Sequence, residues 1–121
     1  MGTTNIERGR HGEDLAADHL ARLGLRVVER NWRCRLGEID IVAVDVEAAA
    51  VIVCEVKTRT TEDFGTPLAA VTPRKLRRLR ALAGEWMRSH DLHARHVRID
   101  VIGILLDRRG APSIEHLRDV A

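Results

Sequence analysis

Apolar positions along the chain recur first at helical spacing. From about Gly12 to Leu23 the segment EDLAADHLARL aligns Leu15, Ala16, Ala17, Leu20 and Leu23 on one stripe, which predicts an amphipathic helix with Gly24 as its C-cap. Residues 1–9 show no such periodicity and read as a flexible tail ahead of a single domain spanning 10–121. The pattern then changes to strands. LRVVERNW (25–32), EIDIVAVD (38–45), VIVCEVK (51–57) and HVRIDVIGILL (96–106) are rich in β-branched residues, and SIEHL (113–117) reads as a short edge strand. A polar turn is expected over 33–36, and VEAAA should close a hairpin between the second and third strands. Residues 58–70, with Gly65 and Pro67, read as a loop. Thr72-Pro73 supplies an N-cap followed by a first-turn proline. It opens a second helix, 73 to about 89, that turns Leu76, Leu79, Ala83 and Trp86 inward. The order αβββαβ plus a short β predicts an α/β domain, a mixed central sheet flanked by helices.

Composition narrows the picture modestly. A chain of 121 residues with 45% apolar content suits one ordered domain with one core. No apolar run approaches the roughly 20 residues of a membrane span, and MGTTNIERGRHGE has no apolar signal core. A cytoplasmic protein with no membrane partner is therefore expected. Cys34 and Cys54 are too few for a disulfide scaffold and lack C-x2-C spacing, and Cys54 reads as core packing. The net charge of +2 identifies no partner, but Arg74, Lys75, Arg77, Arg78 and Arg80 crowd the start of the second helix. Arg74, Lys75, Arg77 and Arg78 are candidates for phosphate contacts, against the plainer reading of a solvated helix face. The aromatics are Trp32, Phe64 and Trp86, without tyrosine, which argues against a base-stacking platform.

The distinctive feature is charge inside the sheet. VIVCEVK puts Glu55 and Lys57 two positions apart in an apolar strand, where each buried charge costs several kcal/mol unless compensated. Strand alternation places them on the face of Val51 and Val53, and places Glu38 and Asp40 on the face of Val42 and Val44. If Val44 pairs with Val51, Asp40 lies opposite Glu55 and Glu38 opposite Lys57. A register slipped by one residue would instead separate the acids onto different faces. Facing carboxylates repel unless a proton or cation lies between them. Carboxylate oxygens, a carbonyl and waters would suit Mg²⁺ or Mn²⁺, with Lys57 placed to orient or deprotonate a water for attack on a phosphodiester. Glu13 is a third acid on the core-facing stripe of the first helix, either bonding free N–H groups at the helix start or aimed at the metal. The plain alternative for the sheet is a cross-strand Glu38–Lys57 ion pair. Asp100, beside Arg98, reads as a structural ion-pair partner. The histidines read as surface residues, although His11 is close in sequence to Glu13.

GEIDIVAVD followed by CEVKTR resembles the D…(D/E)-x-K signature of the restriction-endonuclease-like nuclease superfamily. With GRHGEDLAADHLARLGLRVVERNWR upstream and FGTPLAAVTPRKLRRLRALAGEWM and VRIDVIGI downstream, the chain resembles the small bacterial YraN-like family over about residues 9–106. Relatives of that family include archaeal Holliday-junction resolvases. The resemblance implies a restriction-endonuclease-like αβββαβ core in which Asp40 and Glu55 bind Mg²⁺ (or Mn²⁺) and Lys57 serves the attacking water. Glu13 matches the helix acid that resolvases use at the metal, and Lys75 matches a Gln or Lys often found on the helix after the E-x-K strand. Resolvases make paired cuts, so the resemblance also suggests a homodimer.

Two function classes follow. One is a Mg²⁺-dependent endonuclease acting on structured DNA, with branched, flapped and plain duplex substrates all open. The other is a non-catalytic nucleic-acid-binding or protein-adaptor module on the same fold. The intact Asp40, Glu55 and Lys57 favour the enzyme, because a platform has no need of costly buried charges.

Overall fold

The computed structural model describes residues 4–60, 69, 71–106 and 111–120. Its elements run α1 (Asn5–Arg22), β1 (Arg26–Cys34), β2 (Gly37–Asp45), β3 (Ala50–Thr60), α2 (Pro73–Ser89), β4 (His96–Leu106) and β5 (Ser113–Leu117). The strands form one sheet in the order β1-β2-β3-β4-β5. Only β3 and β4 pair in parallel, joined by the crossover through α2. The architecture is thus a mixed α/β domain with the αβββαβ order.

Helix α1 starts earlier than its apolar stripe indicates. Thr4 and Glu7 form a reciprocal capping box, so residues 5–9, expected within a loose tail, are helical. Strand β1 runs on to Cys34, into the expected turn, and β3 continues to Thr60, into the expected loop. Gly65 and Pro67 of that loop lie outside the described residues.

Each face of the sheet is covered by one helix. Ala16 and Leu20 of α1 pack with Ile41, Ala43, Ile52, Cys54, Ile102 and Ile104. Leu79, Leu82, Ala83 and Trp86 of α2 pack with Ile39, Val42, Val51, Val53 and Ile99. Burial of this apolar surface is the main favourable term of folding.

Those memberships reveal a local twist. Ile41 lies under α1, yet Ile39, two residues away, lies under α2. In β1, Arg30 pairs with Ile41 and Trp32 with Ile39, so Asn31 falls opposite Asp40. Asn31 has φ 55°, a left-handed value that asparagine tolerates better than most residues. The alternation of both strands breaks there. Asp40 therefore stands just past the last β2–β3 pair, Ile41 with Cys54, where the alternation of β2 breaks.

Candidate active site

The hairpin register is the symmetric one, with Val44 opposite Val51 and Ile41 opposite Cys54. Beyond Ile41 the backbone ladder gives way to a side chain. The Val56 N–H donates to Asp40 Oδ2 at 2.8 Å, so Asp40 holds β3 through its carboxylate. The expected opposition of Asp40 and Glu55 is thus an electrostatic proximity at the end of the ladder. Burial, then the Glu55 charge, raise the Asp40 carboxyl to about 7, with Glu13 and Glu38 adding to the repulsion.

Glu55 is 8% exposed and points toward α2. Lys75 Nζ lies 2.7 Å from Glu55 Oε1, and Lys57 Nζ lies 3.4 Å from the same oxygen. Burial and the neighbouring Lys75 push Lys57 below the ordinary lysine range. Burial opposes the charge of Lys75 too, but hydrogen bonds to Glu55 and Lys57 and the charges of Glu55 and Asp40 keep it above that range. One ammonium is thus firmly cationic and its neighbour is more easily deprotonated.

Glu38 does not pair with Lys57. It meets Arg33, its neighbour across β1 and β2, at 2.8 Å. Glu13 sits well inside α1, past the free N–H groups of the helix start, which excludes its role as an N-terminal cap. Its Oε1 accepts from Arg30 Nε at 2.8 Å and from Asn31 Nδ2 at 3.0 Å. Glu13 and Asp40 line one cleft with Glu38, Arg10, Gly9 and Thr58. The structure therefore gathers Glu55, Lys57 and Lys75, places Asp40 within reach of the Glu55 charge, and sets Glu13 in the cleft of Asp40. Among the described residues, no three acid, histidine or cysteine side chains converge as a ready metal cage.

Arg74, Arg77, Arg78 and Arg80 are exposed on α2, opposite the buried Leu79, Leu82, Ala83 and Trp86. Lys75 turns away from that row toward Glu55.

A second polar cluster lies apart from this one. Asp100 is fully buried and accepts from Arg98 through both oxygens, at 2.9 and 3.0 Å. His116 Nε2 lies 2.7 Å from its Oδ2, and the Asp119 N–H donates to its Oδ1 at 3.0 Å. His116 Nδ1 in turn lies 3.1 Å from His19 Nε2. Asp100 is the ion-pair partner expected from Arg98. His19 and His116, however, are partly buried members of a network and not surface residues. His19 on the first helix and His116 on the last strand are far apart in sequence, so no local spacing marks them.

The fold and site define a small mixed α/β domain whose sheet carries a cluster of acids and lysines where β2 and β3 part. The chain belongs to the uncharacterised protein family UPF0102, whose family model matches residues 12–104. It is 57% identical to a UPF0102 protein of Mycobacterium sp. (strain JLS) over 98% of this chain and 87% of that one. It is 53% identical to one of Mycobacterium avium (strain 104), over 97% and 91%. A third, from Streptomyces griseus, is 55% identical over 93% and 94%. Among the described residues no helix is long and apolar enough to cross a membrane.

Proposed function

We propose that this protein is a divalent-metal-dependent endonuclease of the restriction-endonuclease-like superfamily that hydrolyses phosphodiester bonds in structured, branched DNA. The observation that carries the reading is Asp40. Its carboxyl is raised to about 7 by burial and by Glu55, at a site that opens to a cleft. A perturbed acid beside a second acid and a lysine is the arrangement expected where charge is kept for chemistry.

The donor types suit a hard cation: Asp40 and Glu55 offer carboxylate oxygens, a cation would relieve their repulsion, and Glu13, which shares the cleft of Asp40, would have to swing in to complete the set. Mg²⁺ or Mn²⁺ bound there would polarise a phosphoryl oxygen and acidify a water. Lys57, with its lowered proton affinity, is placed to take the proton of that water. Lys75 keeps its charge, positions Glu55 and faces the negative charge that develops at phosphorus. Arg30 and Asn31 fix the orientation of Glu13, and the exposed arginines of α2 meet flanking phosphates. Paired cuts in a branched duplex would call for two copies of the chain.

One observation favours a second reading. Glu55 is compensated by two ammonium groups and Glu13 by Arg30, so the acids are satisfied without a metal. A non-catalytic nucleic-acid-binding or adaptor module would retain such a network. A panel of labelled branched and linear DNAs, with and without Mg²⁺ or Mn²⁺, separates the two. Cleavage that requires both the metal and Asp40 is expected. Binding without cleavage across the panel would leave the module.

A further inference from the structure

Glu13 stands between two claims on its carboxylate. Its side chain is 12% exposed, against 62% for the adjacent Asp14, so water compensates its charge poorly. Two donors from β1 do so instead, Arg30 Nε at 2.8 Å and Asn31 Nδ2 at 3.0 Å, and both meet Oε1. The same guanidinium reaches Asp14 Oδ1 at 2.7 Å, which braces it along α1. Yet Glu13 and Asn31 also line the cleft of Asp40, and the Glu13 charge adds to the repulsion felt there.

The helix itself cannot carry Glu13 further in. Gly12 is buried, and a Cβ on it would lie 2.9 Å from Thr58 Cβ and Cγ2, so α1 is already pressed against β3 at the preceding residue. Only the Glu13 side chain is left to turn. Turning toward Asp40 breaks its bonds to Arg30 and Asn31, which are charge-assisted and therefore strong. A divalent cation between the two acids would offset that loss with twice the charge.

We infer that Arg30 and Asn31 form a latch on the third acid: they hold Glu13 off the cation position, and a divalent cation gains Glu13 only by displacing them. The inference deepens the endonuclease reading and rests on it for the cation. It makes Arg30 and Asn31 positioning residues that set the affinity for metal. Asp40 and Glu55 are then the acids that meet the cation first, and Glu13 closes on it afterwards.

Titration calorimetry with Mn²⁺, in the absence of DNA, reads the latch directly. Arg30→Met keeps the apolar stem and removes the guanidinium. It should tighten Mn²⁺ by at least about tenfold, within the usual range for two coupled binding events. Asn31→Gly removes the second donor without changing charge, and glycine accepts the φ of 55°. It should tighten Mn²⁺ as well, by a smaller factor. Both gains should vanish when Glu13→Gln is added, because Glu13 is what the latch withholds. Were the loss of a nearby positive charge the whole effect, Arg30→Met would tighten Mn²⁺ equally with and without Glu13, and Asn31→Gly would change nothing. That pattern overturns the inference, as does unchanged or weaker binding in both latch variants. Melting curves establish that each variant is folded, and if Arg30→Met does not fold, Asn31→Gly with and without Glu13→Gln decides alone. Mn²⁺ bound by no variant overturns the latch and the endonuclease reading together. Affinities that follow the latch in a protein that cleaves no DNA of the panel overturn the endonuclease reading alone.

Discussion

Lys75, on α2, approaches Glu55 Oε1 at 2.7 Å, closer than Lys57 of the same strand at 3.4 Å. The helix that follows the E-x-K strand thus completes the strand's own charge cluster. Glu55 is nearly buried, so removing either ammonium removes compensation that water replaces poorly.

The two lysines should separate in their effects. Lys57→Ala is expected to lower cleavage by at least about 100-fold, in line with loss of general-base assistance, with little change in DNA affinity. Lys75→Ala should lower the melting temperature as well. A Lys75→Ala/Glu55→Gln double-mutant cycle should give a coupling of about 0.5–3 kcal/mol in thermal unfolding. Additive single effects would show that the 2.7 Å contact carries no energy.

Asp40 sets an unusual pH dependence. Its folded value of about 7 exceeds the ordinary 3.8, so the folded state holds a proton that the unfolded state releases between those values. The group therefore destabilises the fold progressively as pH rises from about 4 to 7. With about 1.4 kcal/mol per pH unit, the upper limit is about 4 kcal/mol. Asp40→Asn keeps the acceptor for the Val56 N–H and removes the charge. Its stability relative to wild type should grow between pH 5 and pH 8 in metal-free buffer. Mg²⁺ or Mn²⁺ at 100 times Kd should then stabilise wild type by about 2.7 kcal/mol and the mutant far less. A mutant that is less stable at pH 8, with a wild type indifferent to metal, would instead establish a structural ion network.

Much of this site was legible in the sequence, and the parts that were not have local causes. The pairing of Val44 with Val51 was one of two registers the hairpin pattern left open, and the structure adopts it. The turn of the strands at Asp40 was not legible, because it depends on one left-handed residue, Asn31, that the apolar pattern does not mark. The start of α1 was hidden because residues 5–11 contribute little to the apolar stripe. Thr4 and Glu7, spaced as a capping box, were the available signal. The His19–His116 contact spans 97 positions and had no local signature.

The exposed row on α2 gives a binding prediction. Replacing Arg74, Arg77 and Arg78 with alanine removes charge without touching the buried Leu79, Leu82 or Trp86. DNA affinity should fall about equally for all sequences. The slope of log K against log salt should flatten by about one per lost phosphate contact. Unchanged affinity and slope, measured by fluorescence titration, would make the row a solvated face only.

The Asp100 network should govern stability without touching the response to metal. Burial alone would raise the Asp100 carboxyl, but Arg98, the Asp119 N–H and His116 together hold it below the ordinary range. Its stabilisation is therefore fully present above about pH 4 and is lost as pH falls further. Asp100→Asn leaves Arg98 without its carboxylate and should cost about 3 kcal/mol near neutrality. The gap from wild type should close only in strong acid. His19 acts in the same direction at higher pH. Burial, then the charges of His116, Arg118 and Arg22, lower its pKa from 6.5, so the folded state resists a proton that the unfolded state accepts. Wild type should lose stability as pH falls through 6.5, and His19→Gln should flatten that limb. Thermal melts from pH 4 to 8 read both effects. A His19→Gln curve parallel to wild type would remove His19 from the acid response, and an Asp100→Asn protein that loses its metal-induced shift would join the two clusters into one site.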